Sequence, residues 1–153
     1  MSEPFRKSFR VRWGDVDLNG HMGNSAYLDL ATDVRMLFFA EHGFPMRRFR
    51  ELGIGPVAQR DELEYFRELR LLDEVTVTLA LAGLSADAAR FLLRNEFLSA
   101  DGRAAARVTS AGGWLDLAAR KLAPPPQELA DALLAMARTP DFAEILSRRS
   151  GGI

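Results

Sequence analysis

Hydrophobic and polar residues alternate over residues 8–13, with Phe9, Val11 and Trp13 on one side and Arg10 and Arg12 on the other. A period of two predicts a half-buried strand. The alternation stops at Gly14. Residues 14–24 hold three glycines, two aspartates and two asparagines in eleven positions, the composition of a loop. From residue 25 to residue 42 the period lengthens. Tyr27, Leu30, Ala31, Val34, Leu37 and Phe38 share one face of a predicted helix, and Leu28, Met36 and Phe39 carry apolar surface onto other faces. A helix apolar around most of its circumference belongs at the centre of a fold. Asn24 or Ser25 is placed to cap it, Asp29 suits its dipole, and Gly43 and Pro45 stop it.

The remainder reads mostly as strand. Residues 55–69 contain the alternating run Leu63, Glu64, Tyr65, Phe66, Arg67. Residues 74–82 set Val75, Val77, Leu79 and Leu81 against Thr76, Thr78 and Ala80. Residues 89–98 put Phe91, Leu93 and Phe97 on one face, Asp101-Gly102 signals a tight turn, and 103–117 forms the last strand. Gly112-Gly113 marks a bulge or a close backbone approach. Pro124, Pro125 and Pro126 open a helix over 127–138, and Thr139-Pro140 ends it. The tail, 139–153, is expected to be a short helix followed by disorder. The order is one strand, a long apolar helix, four strands and a terminal helix. Short turns between successive strands imply an antiparallel sheet. A helix layered on such a sheet is an α+β arrangement. Residues 1–153 are expected to form a single domain with its core at about 5–138.

Composition narrows the function. The chain has 153 residues and a formal net charge of −1, without a block of like charge, so wholesale binding to nucleic acid or an anionic membrane has no electrostatic support. With no cysteine, disulfides, thiolate nucleophiles and Cys-ligated zinc are excluded. His21 and His42 are the two histidines and lack the spacing of metal ligands. The first ten residues lack the apolar core of a signal peptide, and no apolar run approaches a membrane span. A cytoplasmic protein is expected.

The chemistry is concentrated in residues 13–27. A polar loop brings Asp15 and Asp17 next to the start of a buried helix, where free backbone N–H groups favour negative charge. Such donors suit an oxyanion formed from a carbonyl. A carboxylate beside them can attack that carbonyl or activate a water. The same residues also make ordinary turns and helix caps, so spacing alone leaves both readings open.

The run FRVRWGDVDLNGHMGNSAYLDLA resembles the 4-hydroxybenzoyl-CoA thioesterase family, whose loop reads approximately D-x-D-x-x-G-H-V-N-N-x-x-Y. Asp15, Asp17, Gly20, His21, Asn24 and Tyr27 stand at those places. LEYFRELRLLDEVTVTLAL and WLDLAARKLAPPPQEL are similar to later segments of the family, so the resemblance covers most of residues 8–130. It implies a hotdog fold, about five antiparallel strands wrapped around one long central helix with a further C-terminal helix. It also implies a homodimer or homotetramer with sites between subunits. The family's catalytic carboxylate falls on Asp17, as nucleophile or general base against a thioester carbonyl. His21 and Asn24 fall on positions that shape the site, and Tyr27 on one that packs behind it. Gly23 replaces the first Asn of the family's usual pair, which removes a polar contact.

The implied substrate is an acyl thioester of CoA or of a carrier protein, with no cofactor beyond the CoA and no metal. Arg90, Arg120 and Lys121 are the candidates for contacts to CoA phosphates. Asp33, on one helix face with Asp29, is a rival acid that otherwise belongs to a solvated or interface face. Asp15 suits a loop-holding role. Asp61, Glu62 and Glu64 read as a solvent-facing edge, and Phe38, Phe39, Phe44 and Trp114 as core or acyl-pocket wall. Residues 46–50, with three arginines, read as a solvated loop. Two other functions fit the sequence: a hotdog dehydratase or hydratase using His21, and a non-catalytic module that binds acyl thioesters or a protein.

Overall fold

The first strand lies earlier than its alternation suggests. In the computed structural model, which describes residues 3–146, β1 is Phe5–Arg10. Val11 is fully buried and still pairs, its N–H donating to Asp73 O at 2.9 Å. Trp13, expected inward, is 80% exposed, because Trp13–Asp15 winds into one 3-10 turn. The cause is local: the Arg12 backbone N–H donates to Asp15 Oδ2 at 2.8 Å and pulls the chain out of the strand.

Helix α1 (Asn24–Glu41) is the expected central helix. Its N-cap is Gly23, which has no side chain to cap with; Asn24 Oδ1 instead accepts the Ser25 N–H at 2.9 Å. The buried face also turns slightly from the expected one. Leu37 is exposed, while Phe39 and Arg35 are buried. Residues 46–50 are not a loop but belong to α2 (Met46–Leu52), which buries Phe49 against Trp114 and ends at the left-handed Gly53.

The sheet is built from β1, β2 (Ile54–Tyr65), β3 (Glu74–Ser85), β4 (Arg90–Ser99) and β5 (Ala104–Asp116), in the order β1-β3-β4-β5-β2 and antiparallel throughout. Strand β2 stops at Tyr65 rather than at residue 69. The N–H groups of Phe66 and Arg67 both turn onto Ala105 O, at 2.8 and 3.0 Å, and end the ladder. Two strands join the expected five. β6 (Lys121–Leu122) pairs with the end of β5. Helix α3 (Gln127–Ala135) ends three residues before the expected boundary, and β7 (Arg138–Ile145) follows, parallel to β3. Thr139-Pro140 therefore lies in a strand, not at a helix break. Pro140 is tolerated because β7 is an edge strand. It occupies the stretch of β3 beyond the end of β1: β1 pairs with residues 74–79 and β7 with 81–85. The part of the tail beyond residue 146 lies outside the described residues.

The sheet curls around α1. Ala31, Val34 and Phe38 of the helix pack in one core with Val75, Val77 and Leu79 of β3, Phe97 of β4 and Val108 and Trp114 of β5. This is the hotdog fold. Gly112 and Gly113 mark close approaches: a Cβ on Gly112 would meet Val57 O at 1.9 Å, and one on Gly113 would meet Ala89 O at 2.4 Å. The register shift lies opposite, in β2, between Ala58 and Arg60.

Candidate active site

The loop before α1 is a small closed hairpin. Val16 and Met22 bridge, and the Asp17 N–H donates to His21 O at 2.8 Å. The turn between them closes with the Gly20 N–H on Asp17 O at 3.0 Å. Gly20 sits at φ +79°, which explains why glycine stands there. Asp17 Oδ1 accepts the Asn19 N–H at 2.9 Å, an Asx turn that fixes the carboxylate through one oxygen. The hairpin is tied to the segment after β2, since the Met22 N–H donates to Leu69 O at 2.7 Å and His21 bridges to Arg70.

Asp15 braces this loop from below. It is buried, and its carboxylate accepts from the Arg12 backbone N–H, from Arg12 Nε at 3.2 Å and from Arg12 Nη2 at 3.1 Å. Burial pushes its pKa up, but the Arg12 hydrogen bonds and charge outweigh burial and hold it below the ordinary 3.8. A depressed folded-state pKa gives stability that is present above the unfolded value and is lost as pH falls through the folded one. Asp15→Asn is therefore expected to cost about 1–2 kcal/mol at neutral pH. Its melting-temperature deficit should shrink as the pH drops below about 4. Thermal melts of both proteins across that range check this; a deficit independent of pH would remove the carboxylate charge from the account.

Four sequence-predicted residues meet in one cleft of about 490 Å³: Asp17, His21, Asn24 and Tyr27. Asp15 and Gly20 do not line it; one braces the loop and the other turns it. The far wall is Tyr65, Phe66, Arg67 and Glu68, which the sequence pattern did not single out. Its one signal was the aromatic pair Tyr65-Phe66 within the alternating run. Gly23 lies against the carboxylate, with its Cβ position 3.5 Å from Asp17 Cβ and 4.0 Å from Oδ2. Asp17 thus stands beside the N-terminus of α1, where the Ser25 N–H is taken by Asn24 Oδ1 and the Ala26 N–H by Gly23 O at 3.1 Å, leaving the Asn24 N–H as the free donor among the described residues.

Tyr27 is buried, with its ring edge-on to Tyr65 at 5.4 Å and Phe97 at 5.2 Å. Burial first, then Tyr65 and Asp17, push its hydroxyl up to about 12, so it stays protonated and able to donate. His21 Nε2 lies 3.0 Å from Glu68 Oε2, and Arg70 Nη2 lies 3.8 Å from the same oxygen. Phe66, Arg67 and Glu68 also wall an adjoining groove of about 730 Å³ that runs past Arg70 to Asp101.

The other candidates lie elsewhere. Asp29 and Asp33 are exposed and line none of this cleft. Asp61 accepts from Ser110 Oγ, and Glu64 lies 3.7 Å from Arg107. Arg90 gives its backbone N–H to Ser85 Oγ at 3.0 Å, and Arg120 and Lys121 are exposed around β6; none of the three lines the cleft. Phe39, Phe44 and Trp114 are fully buried. Among the described residues no group of three or more His, Asp or Glu is arranged to hold a metal, and no helix is long and apolar enough to cross a membrane.

The architecture has solved counterparts. A Staphylococcus aureus protein in complex with CoA superposes with a TM-score of 0.80 at 22% identity, covering 90% of this chain and 87% of that one. An Aquifex aeolicus protein gives 0.77 at 25% identity over 85% and 99%. A 1,4-dihydroxy-2-naphthoyl-CoA thioesterase from Synechocystis gives 0.78 at 20% identity over 87% and 97%. No curated protein matches the chain. The sequence profile of the thioesterase-like superfamily matches residues 11–133, from the end of the first strand through most of α3, and the chain belongs to that superfamily.

Proposed function

We propose that the protein hydrolyses acyl thioesters, acyl-CoA to free acid and CoA, with Asp17 as the catalytic carboxylate. The observation that carries this is the placement of Asp17 in a cleft beside the N-terminus of α1. The thioester carbonyl sits over the first turn of the helix, where the Asn24 N–H takes the developing oxyanion. Asp17 removes a proton from a water that attacks the carbonyl carbon, or attacks that carbon itself to give an anhydride that water then opens. On either route the carbon–sulfur bond breaks, and the thiolate leaves and is protonated. Tyr27, neutral and buried, donates a hydrogen bond at the back of the cleft.

The groove beyond Phe66 and Glu68 suits the arm of CoA or of a carrier protein, in keeping with the CoA bound to the Staphylococcus aureus counterpart. Strand β2 ends the sheet, and among the described residues no strand pairs along the outer edge of its 12 residues. A second copy paired along that edge would complete a homodimer in the cytoplasm.

A thiol-release assay on short-chain, long-chain and aromatic acyl-CoAs tests the reading, and turnover of at least one class is expected. Thioesters left intact throughout would end it. The His21–Glu68 pair favours one second reading, hydration of an enoyl thioester, because such chemistry moves a proton at carbon with a His and a carboxylate. An enoyl-CoA added to the panel separates the two: hydration consumes the enoyl group and releases no thiol.

A further inference from the structure

Arg35 is the buried cation on α1. Its residue is 8% exposed, yet only part of its guanidinium is used. Nε donates to Asn95 Oδ1 at 2.9 Å, and Asn95 in turn donates to Thr78 O at 2.9 Å. Nη2 is buried and has no hydrogen-bond partner among the described residues. A buried, unpaired donor on a cation is costly, so something at this place should accept from it.

Arg35 also lines a cavity of about 110 Å³, with Met36, Phe39, Val57, Phe91 and Ser110 among its other walls. The cavity is largely apolar. It lies on the same stripe of α1 as the active-site cleft: Asn24, Leu28, Thr32, Arg35, Met36 and Phe39 follow the helical spacing of three and four. Asn24 lines the cleft, Thr32 lines the cavity, and the half-buried Leu28 lies between them. The eight residue steps from Asn24 to Thr32 rise about 12 Å. An extended decanoyl chain spans that distance.

We propose that the cavity receives the far end of a medium-length acyl chain. The Arg35 guanidinium then donates a hydrogen bond to a neutral oxygen, a hydroxyl or a ketone, near the chain's tail. The proposal rests on the reading of the Asp17 cleft as the seat of the thioester. Neutrality follows from charge. Asp61 stands opposite Ser110 in the strand register, and its carboxylate already acts on the Arg35 guanidinium. A terminal carboxylate would add a second negative charge at the same buried cation and remain uncompensated.

The test is calorimetric binding of ω-hydroxydecanoyl-CoA, decanoyl-CoA and ω-carboxynonanoyl-CoA to the Asp17→Asn protein, which holds the thioesters intact. With Arg35 present, the ω-hydroxy ligand is expected to bind about tenfold more tightly than decanoyl-CoA, the size of one hydrogen bond from a charged donor. The ω-carboxy ligand is expected to bind more weakly than either. Adding Arg35→Met should make the first two ligands equal. Adding Met36→Trp in place of Arg35→Met, which fills the cavity and keeps Arg35, should weaken both of them and leave butyryl-CoA unchanged. It keeps the proposal open to test if the Arg35 variant does not fold. Equal affinities with Arg35 in place, a preference that survives its loss, or no binding of the decanoyl ligands overturns the proposal. Failure of the hydrolase reading shows separately, as intact thioesters with the unmutated protein whatever the ligand preference.

Discussion

Asp17→Asn is expected to lower kcat on acyl-CoA on the order of 10²- to 10⁴-fold, the range in which a general base or an attacking carboxylate contributes. The fold should survive. The carboxylate's structural work is done by Oδ1, which accepts the Asn19 N–H at 2.9 Å, and an asparagine keeps an oxygen there. The backbone bonds that close the hairpin, Asp17 N–H to His21 O and Gly20 N–H to Asp17 O, do not involve the side chain. What the substitution removes is the negative charge on Oδ2, the oxygen turned toward the start of α1. A fall in kcat with an unchanged melting temperature assigns the loss to chemistry. Asp17→Ala also removes the Asx turn, so it should lose activity and loosen the loop together. Turnover by Asp17→Asn equal to that of the unmutated protein would take Asp17 out of the mechanism.

The loop and α1 were legible in the sequence because their signals are local. Glycines, aspartates and asparagines crowd residues 14–24, and the apolar period changes directly after them. What lies across the cleft was not legible. Tyr65 to Glu68 reach Asp17 through the Met22–Leu69 hydrogen bond and the His21–Arg70 bridge, contacts between segments more than forty residues apart, which no periodicity reports. Strand β7 was missed for the same kind of reason. RTPDFAEI has weak alternation and a proline, and it becomes a strand by lying along a stretch of β3 that β1 leaves unpaired. Helix α2 hangs on one apolar anchor, Phe49, too little to set a period. Trp13 misled because alternation says nothing of the Asp15 carboxylate that bends the chain two residues later.

Gly112→Ala is expected to be the most damaging single-methyl change in the sheet. The added Cβ would fall 1.9 Å from Val57 O and 2.9 Å from Val57 C, and both are backbone atoms of β2 that no rotamer change can move. Strand β2 must separate from β5 there, where the register already shifts between Ala58 and Arg60. A cost of about 3 kcal/mol follows from overpacking of this kind. For a chain of this length that lowers the melting temperature by roughly 10 °C. Gly55→Ala is the matched control: Gly55 pairs with Leu115 in the same two strands, and nothing lies within 4 Å of its Cβ position, so its melt should barely move. The damage should also be directional. Val57 and Ala58 wall the cavity beside Arg35, whereas the Asp17 cleft takes its β2 wall from Tyr65 at the opposite end of the strand. Below its melting temperature, Gly112→Ala should therefore keep its affinity for butyryl-CoA and lose affinity for decanoyl-CoA. Equal melts for the two glycine variants would mean that β2 can shift away from Gly112 at no cost, and that the bulge is slack rather than fixed by the glycine.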